Sequence, residues 1–490
     1  MQNNTLRLAK TAGWFTIMAS ALASEYGSGI NVVAESSMSV YPGIGNLAPL
    51  AMFAVGLFLI PKVFMFQRYG SVASSSGGEY TWISRSISPA TGFITHFIYW
   101  IGVISGISFL AYATGTTLAS TLVLLGITSG AYFATIPGHI FIGLFIIILI
   151  FGIHYSGIRS YSYLLWITFV IIIIAAAISM IFGFGNTPST FESALSSNIF
   201  HGTVPSYKLP KLTYFSFFGT MTLFVFAYGG LSAAPMLGGE TKNPKKNMPR
   251  GIILGWAMAL VLFTLVTFAI FHVADSSLVY SLLKSNKPYY TTLPGIISLI
   301  APKIIGLIIS VLITIILAKT ISPAMLASSR SVYAWANDGI LPSIFLHVNN
   351  RKAPDAALIL TLILSSIFLI YTSFIGIAIV VIRSVGILIV IMVLGFGVLI
   401  LKRRQNKEEW QKRVTTSAMV IMAILGIVVS LVLIPSVIYE PKIPLFLQPS
   451  IQLFITFLVG IFIFAFRSSY LKRKENRDIS EEIRSNLPSE

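Results

Sequence analysis

Two short glycine-centred stretches have the residue types to bind a small ligand through the backbone itself. They are Gly27-Ser28-Gly29-Ile30 and Phe226-Ala227-Tyr228-Gly229-Gly230. Both fall in the middle of long apolar segments, where no water is present to satisfy backbone N–H and C=O groups and a continuous helix is the cheaper state. A break at that depth is tolerated where the freed groups line a cavity or hold a ligand. At the first stretch the N–H groups of Ser28, Gly29 and Ile30 open a new half-helix. Such an end carries unpaired donors and partial positive charge, which suits a carboxylate. At the second, Phe226 and Tyr228 offer aromatic surface, and freed carbonyls of the stretch can accept from an ammonium group. Donors for an anion beside acceptors for a cation suit a zwitterion. The alternative for GSGI is a small-residue helix-packing motif.

Few other groups offer chemistry. The chain has no cysteine, which excludes disulfides, Cys-ligated metal and thiol reactions. His96, His139, His154, His201, His272 and His347 are scattered without metal-ligand spacing and read as loop or interface residues. The apolar segments hold no nucleophile–base or metal constellation, so a membrane enzyme is disfavoured and no cofactor is expected. Ionisable groups inside the segments read as Glu25 and Glu35 among the acids, and Lys319 and Arg383 among the bases. At such depth they are costly and face a cavity or a partner. Arg383 and Glu35 lie toward the outer side, as an outer gate or as side chains that snorkel to the surface; snorkelling is the favoured reading for Arg383.

The elements that position these groups are membrane-spanning helices. Of 490 residues, 55% are hydrophobic and 10% charged, with mean hydropathy +0.84; a soluble globular chain carries roughly a quarter of its residues as charges. Apolar runs such as Phe141 to Ile150 and Ile167 to Ile181 recur along the whole length. The expectation is an all-α membrane protein with about twelve transmembrane helices, at about 20 residues per span. The start has no cleavable signal shape, so its first apolar segment reads as a retained span. The net charge of +17 does not point to nucleic acid, because Lys and Arg concentrate on alternate loops and the tails. Among them are Arg7, Lys10, Lys242, Lys245, Lys246, Arg250, Lys402-Arg403-Arg404 and Lys472-Arg473-Lys474. That positive-inside bias places both termini in the cytoplasm, with contact to anionic membrane lipids as a secondary expectation.

The chain then divides into a cytoplasmic tail (1–10), spans 1 to 5 (11–184), an irregular outer loop (185–211), spans 6 to 10 (212–401), a basic cytoplasmic loop (402–415), spans 11 and 12 (416–468) and a charged tail (469–490). Span 8 is expected over Ile304 to Ala327, followed by the segment SRSVYAWANDGILP. That segment, with Arg330 and Asp338, reads as shaping an inner loop. Trp82, Trp335 and Trp410 read as interface-belt residues. Each glycine break lies in the first helix of a five-span block, and interrupted segments at corresponding positions of two halves mark inverted-repeat transporters that bind at mid-membrane.

GSGI in span 1, GGEY before span 3, FAYGG followed by GETKNPKKNMPR at span 6, and SRSVYAWANDGILP after span 8 together resemble the amino acid–polyamine–organocation (APC) superfamily of permeases. The resemblance covers roughly residues 10 to 400, in order and at matching spacing. It implies a LeuT-type five-plus-five inverted repeat with discontinuous helices 1 and 6 and two additional C-terminal spans. It also implies an amino acid substrate, with its carboxylate on the Gly27-Ser28-Gly29 amides and its amino group near carbonyls of spans 1 and 6. Phe226 falls where the family often has an aromatic lid, and Tyr99 matches a tyrosine that gates the site in some members. Gly102, Val103 and Ile107 would face the site from span 3; being small or apolar, they lean toward neutral substrates. Ser232 stands where many members have an acid, and span 5 lacks the lysine of some proton-coupled members. Lys319, next to Thr320, falls near where related sodium-coupled transporters place hydroxyl ligands. It could occupy that cation position opposite Glu25 and link proton entry to transport, or the two could form a static buried pair. Alternative readings are a polyamine or organocation cargo, an exchanger of the same fold, and a non-transporting receptor or subunit.

Overall fold

Span 3 shows how local chemistry starts these helices. Ser88 has extended backbone, its side chain accepts from the Thr91 N–H at 3.1 Å, and Pro89 occupies the first turn, so a pre-set φ and a satisfied end donor nucleate the helix together. Thr135 before Pro137 and Thr292 before Pro294 repeat the device. The computed structural model describes residues 12–75, 77–375, 380–437, 445 and 448–485, without the side chains of residues 28, 33–36, 158–163 and 375. The tail 1–10 and the Glu35 side chain therefore lie outside the described residues.

Among the described residues, eleven helices are long and apolar enough to cross a membrane, and there is no strand. The remaining expected crossing is span 1, divided into Trp14–Glu25, Ser28–Asn31 and Val33–Val40. The others are span 2 (Pro42–Val72), span 3 (Pro89–Leu124), span 4 (Ile136–Tyr155), span 5 (Ile158–Gly185), span 6 (Tyr214–Glu240), span 7 (Pro244–Val273), span 8 (Lys303–Asn337), span 9 (Asp355–Ile375), span 10 (Val380–Arg403), span 11 (Ser417–Val437) and span 12 (Pro449–Lys474). Spans 3, 6 and 10 are buried along most of their length, whereas 11 and 12 are largely exposed. Span 3 packs along span 8, and the first piece of span 1 along span 7. Phe141, Phe145, Ile167, Ile181, Phe462 and Phe466 face outward, an apolar coat of the kind that marks contact with lipid. This is a multi-pass membrane protein.

Three expectations from the sequence change. Span 8 runs ten residues past the expected Ala327, to Asn337, because Val332 and Trp335 extend its buried stripe. It stops where Gly339 adopts φ +77° and the Ile340 N–H returns to the Trp335 carbonyl at 2.9 Å, a left-handed helix ending that suits glycine. Pro323 lies inside this helix; it has no N–H to give to the carbonyl four residues earlier, that of Lys319. The outer loop 185–211 is not wholly irregular, since Thr187 caps a helix over Pro188–Leu195. Finally, Trp82, Trp335 and Trp410 are buried and not in an interface belt. Trp335 packs edge-on against Tyr80, Phe93 and Trp100, and the Trp82 indole donates to the Ala73 carbonyl at 2.8 Å.

Candidate functional site

The first break has little regular hydrogen bonding. The Tyr26 N–H closes the first helix onto the Leu22 carbonyl at 2.8 Å, and the Gly27 N–H then turns back to the Glu25 carbonyl at 2.9 Å. The Asn31 side-chain amide donates to the Gly27 carbonyl at 2.7 Å, satisfying an acceptor that the break frees. Ser28, Gly29 and Ile30 follow as the opening of a short helix, and the first N–H groups of a helix have no partner within it.

The second break is more extensive than expected. Tyr214–Val225 is α-helical, but Ala227–Ala233 and Pro235–Glu240 are 3-10 turns. The tighter i→i+3 pattern is visible in the Gly229 N–H bonded to the Phe226 carbonyl at 3.1 Å and the Ala234 N–H to Leu231 at 3.1 Å; such turns leave poorer geometry and mark functional irregularities.

The two breaks meet. A Cβ added at Gly29 would lie 2.7 Å from Ala227 Cα, and one added at Gly230 would lie 2.3 Å from the Ser24 carbonyl carbon and 2.5 Å from the Glu25 nitrogen. Only hydrogen fits at either position, so the glycines bring the two backbones into contact. Gly27 likewise faces Thr320 of span 8, whose Cγ2 would be 2.8 Å from an added Cβ.

Span 8 joins the first break through two adjacent side chains. Lys319 Nζ donates to the Ala23 carbonyl at 2.6 Å, and Thr320 Oγ1 donates to the Ile316 carbonyl at 2.6 Å while lying 3.3 Å from the Tyr26 carbonyl. An ammonium and a hydroxyl thus converge on the carbonyl end of the first half of span 1. Lys319 does not pair with Glu25, since no carboxylate lies within 4.0 Å of it among the described residues. The charged neighbours that act on Glu25 are Lys62 and Arg383.

The span 3 positions surround a different group from the one expected. Arg383 is buried, not snorkelling. Its backbone sits 2.8 Å from where a Gly102 Cβ would be, its Nη1 sits 2.7 Å from a Gly106 Cβ, and its Nε 3.3 Å from a Gly229 Cβ. The guanidinium carbon lies 5.0 Å from the centre of the Phe226 ring, and Phe226 meets Phe109 edge-on at 6.0 Å. Val103 and Ile107 are buried beside this region, and the Tyr99 backbone packs on Gly386 of span 10. Tyr228 turns away from it, its hydroxyl donating to the Met52 carbonyl of span 2 at 3.3 Å.

Two buried ionisable residues escaped the sequence inventory. Lys62 of span 2 is buried over the Phe66 ring, 5.2 Å from its centre, with Nζ free of hydrogen bonds. Glu79, in the short helix Gly78–Ser86 before span 3, is also fully buried; burial pushes its carboxyl above the usual carboxylate range, with Ser232 and Lys62 acting in the opposite sense. Glu79 and Tyr99 both approach Ser232, which brings an acid from another segment near this position. The charge of Lys62 inside an apolar run was the available signal. Both Glu25 oxygens are buried without a well-formed hydrogen bond.

At the end of the bundle that carries the basic loops, ion pairs tie the same helices together. Arg330 of span 8 holds Glu240 at the end of span 6 at 2.6 Å. Arg85 grips Asp338 with both nitrogens, at 2.6 and 2.9 Å, and the Tyr80 hydroxyl joins them. The Ala12 N–H donates to the Glu240 carbonyl and the Lys242 N–H to the Ala12 carbonyl, each at 2.9 Å, which clamps the start of span 1 onto span 6. Arg330 and Asp338 thus belong to two separate ties between helices. Among the described residues no cluster of three or more potential ligands could hold a metal ion.

The chain is similar to known proteins along most of its length. The chain matches the family described as "Amino acid permease" over residues 13–464. It is 27% identical over 342 residues to "Probable amino-acid permease meu22" of Schizosaccharomyces pombe, covering 65% of this chain and about half, 54%, of that protein. It is 24% identical over 403 residues to "Branched-chain amino acid permease BcaP" of Lactococcus lactis, covering 78% of this chain and 81% of the relative. With "Lysine-specific permease LysP" of Escherichia coli it shares 24% identity over 368 residues, 72% of this chain and 70% of the other.

Proposed function

The chain belongs to the amino acid permease family, and from that premise we propose that it is a secondary active transporter moving amino acids across the cell membrane by alternating access. Its N- and C-termini face the cytoplasm, and spans 1 to 5 and 6 to 10 form inverted repeats. The observation that carries this reading is the contact between the two unwound stretches, Gly29 against Ala227 and Gly230 against Ser24 and Glu25. Half-helix ends brought together at mid-depth are the arrangement in which anionic and cationic parts of one small ligand are bound by backbone.

On this reading the substrate carboxylate is received by the amides of Ser28, Gly29 and Ile30; the Gly27 N–H, bonded to the Glu25 carbonyl, shapes the turn before them. The ammonium group is received by carbonyls released where Phe226, Ala227, Tyr228 and Gly229 leave the α-helix. Phe226 and Tyr99 close over it. The lean toward neutral substrates drawn from Gly102, Val103 and Ile107 loses weight, because Arg383 fills the space beside Gly102 and Gly106. Coupling is to protons: the Lys319 ammonium on the Ala23 carbonyl stands in for a bound cation. The tied basic end, with Arg330–Glu240 and Arg85–Asp338, corresponds to a closed cytoplasmic gate.

The test is purified protein in liposomes preloaded with unlabelled amino acid, exposed to a radiolabelled panel with and without a pH gradient. Saturable counterflow of at least one amino acid, accelerated by an inward proton gradient, is the expected result. Absence of counterflow for the whole panel would favour a receptor or subunit instead.

A further inference from the structure

Arg383 presents a buried cation that, among the described residues, has no ion-pair partner. It is 3% exposed, its Nε makes no hydrogen bond, and among the described residues no carboxylate lies within ion-pair distance of it. Glu25 and Tyr99 act on it only through space. Beside it, Phe109, Phe226, Val380 and Ile382 form one apolar cluster around the start of span 10. The contact with the Phe226 ring returns only a part of what taking a guanidinium out of water costs.

The space it fills is made by other helices. Gly102 and Gly106 on span 3 and Gly229 in the second break each lack the side chain that would collide with Arg383. Three glycines on two elements therefore open a socket, and the guanidinium lies in it beside Phe226, next to the backbone that meets span 1. On the transport reading the substrate's side chain would lie here, where Gly102, Val103 and Ile107 of span 3 face the site.

We propose that the transported amino acid carries a second carboxylate, on its side chain, and that Arg383 is the residue that receives it. The inference rests on the transport reading above, which already assigns the α-carboxylate and α-ammonium groups to the two breaks; Glu25, beside the second break, adds to the ammonium side. That allocation leaves the guanidinium, among the described residues at the site, without an ion-pair partner. Its planar fork matches a carboxylate with two parallel hydrogen bonds, a match that a lysine in its place would not reproduce. A substrate side chain ending in an amide has one oxygen and no charge to offer, and would leave the buried cation uncompensated.

The experiment is competition for counterflow in proteoliposomes, using aspartate and glutamate against asparagine and glutamine as size-matched amides. In the wild-type protein the acids should compete at least about tenfold better than their amides, which corresponds to about 1.4 kcal/mol. In Arg383→Gln the ratio should fall to near one while uptake of the amides persists, and Arg383→Lys should keep a reduced preference for the acids. Persisting amide uptake also shows that the variant is folded. A wild-type protein that prefers the amides, or an Arg383→Gln variant that loses acids and amides in equal proportion, overturns the proposal and leaves amino acid transport standing. Wild-type protein that moves none of the four, yet moves leucine or lysine, overturns it too. Failure with every amino acid removes the transport reading itself.

Discussion

Arg330 Nη2 lies 2.6 Å from Glu240 Oε1, and both side chains are almost wholly buried. The pair joins span 8 to the last turn of span 6, where the Glu240 carbonyl also accepts from the Ala12 N–H. Three of the helices that surround the glycine breaks are thereby fastened at one end. A transporter that opens to that side must part them.

Removing one partner of a buried pair leaves a charge in low dielectric at a cost of about 3–5 kcal/mol. Arg330→Ala should therefore shift the population toward a form open at the basic end. The native chain has no cysteine, so Ala234→Cys, at a buried position in span 6, provides a single reactive thiol. Its labelling by a membrane-impermeant maleimide added from that side should accelerate roughly tenfold or more. Unchanged labelling would mean that the tie is not part of the gate.

Gly29→Ala places a methyl group 2.7 Å from Ala227 Cα. Backbone atoms cannot yield as a flexible side chain can, and overpacking of this kind costs about 1–3 kcal/mol. Uptake should drop by about an order of magnitude or more. Gly152→Ala, in span 4 with no heavy atom within 4 Å of the added Cβ, is the control. It should leave uptake unchanged and raise stability by about 0.5–1 kcal/mol.

Lys319→Ala removes the ammonium from the Ala23 carbonyl. If that group stands in for a bound cation, transport by the variant loses its pH dependence while the wild-type profile retains it. Initial rates between pH 5 and 8 would measure this. An unaltered pH profile would reduce Lys319 to a fastening between spans 1 and 8.

Asp275 caps the outer helix Ser276–Lys284 through the Ser277 N–H at 2.8 Å and accepts from the Asn46 side chain at 2.6 Å. Burial raises its pKa, but the bonds from Ser277 and Asn46 outweigh burial and the net shift is downward. A carboxylate held below its unfolded value of about 3.9 adds stability above that pH and loses it as pH falls through the folded value. The protection of this helix against hydrogen exchange, relative to the intrinsic rate at each pH, should hold at neutral pH and fall below about pH 4. Asp275→Asn should lower that protection at pH 7 and flatten the acid response.

Much of the scaffold was legible because its signals are local. Glycine pairs inside apolar runs marked both breaks, and the apolar runs themselves marked the spans. The site itself was legible in its backbone and not in its side chains. Arg383 is the fourth residue of span 10, and a residue so near a helix end reads as free to reach water; what buries it are glycines on spans 3 and 6, a relationship that no single segment contains. Glu79 was missed for the same reason, since the side chains that act on it, Ser232 and Lys62, sit on spans 6 and 2. Trp335 was read as an interface-belt residue, yet Tyr80, Phe93 and Trp100 arrive from distant segments to enclose it. Pairs such as Lys319 with Ala23, 296 positions apart in sequence, depend on how whole helices pack.

Span 8 holds Lys319, Arg330 and the Asp338 cap on one uninterrupted helix. Pro323 falls between the first two, where the ladder of backbone bonds is missing a rung. The rod is thus weakest just beyond its grip on span 1. On the transport reading its upper length moves with Lys319 while its lower length stays tied to Glu240 and Arg85, and the proline is where the two would bend apart. News of an occupied site would then reach the far doorway as a bend in a single shaft.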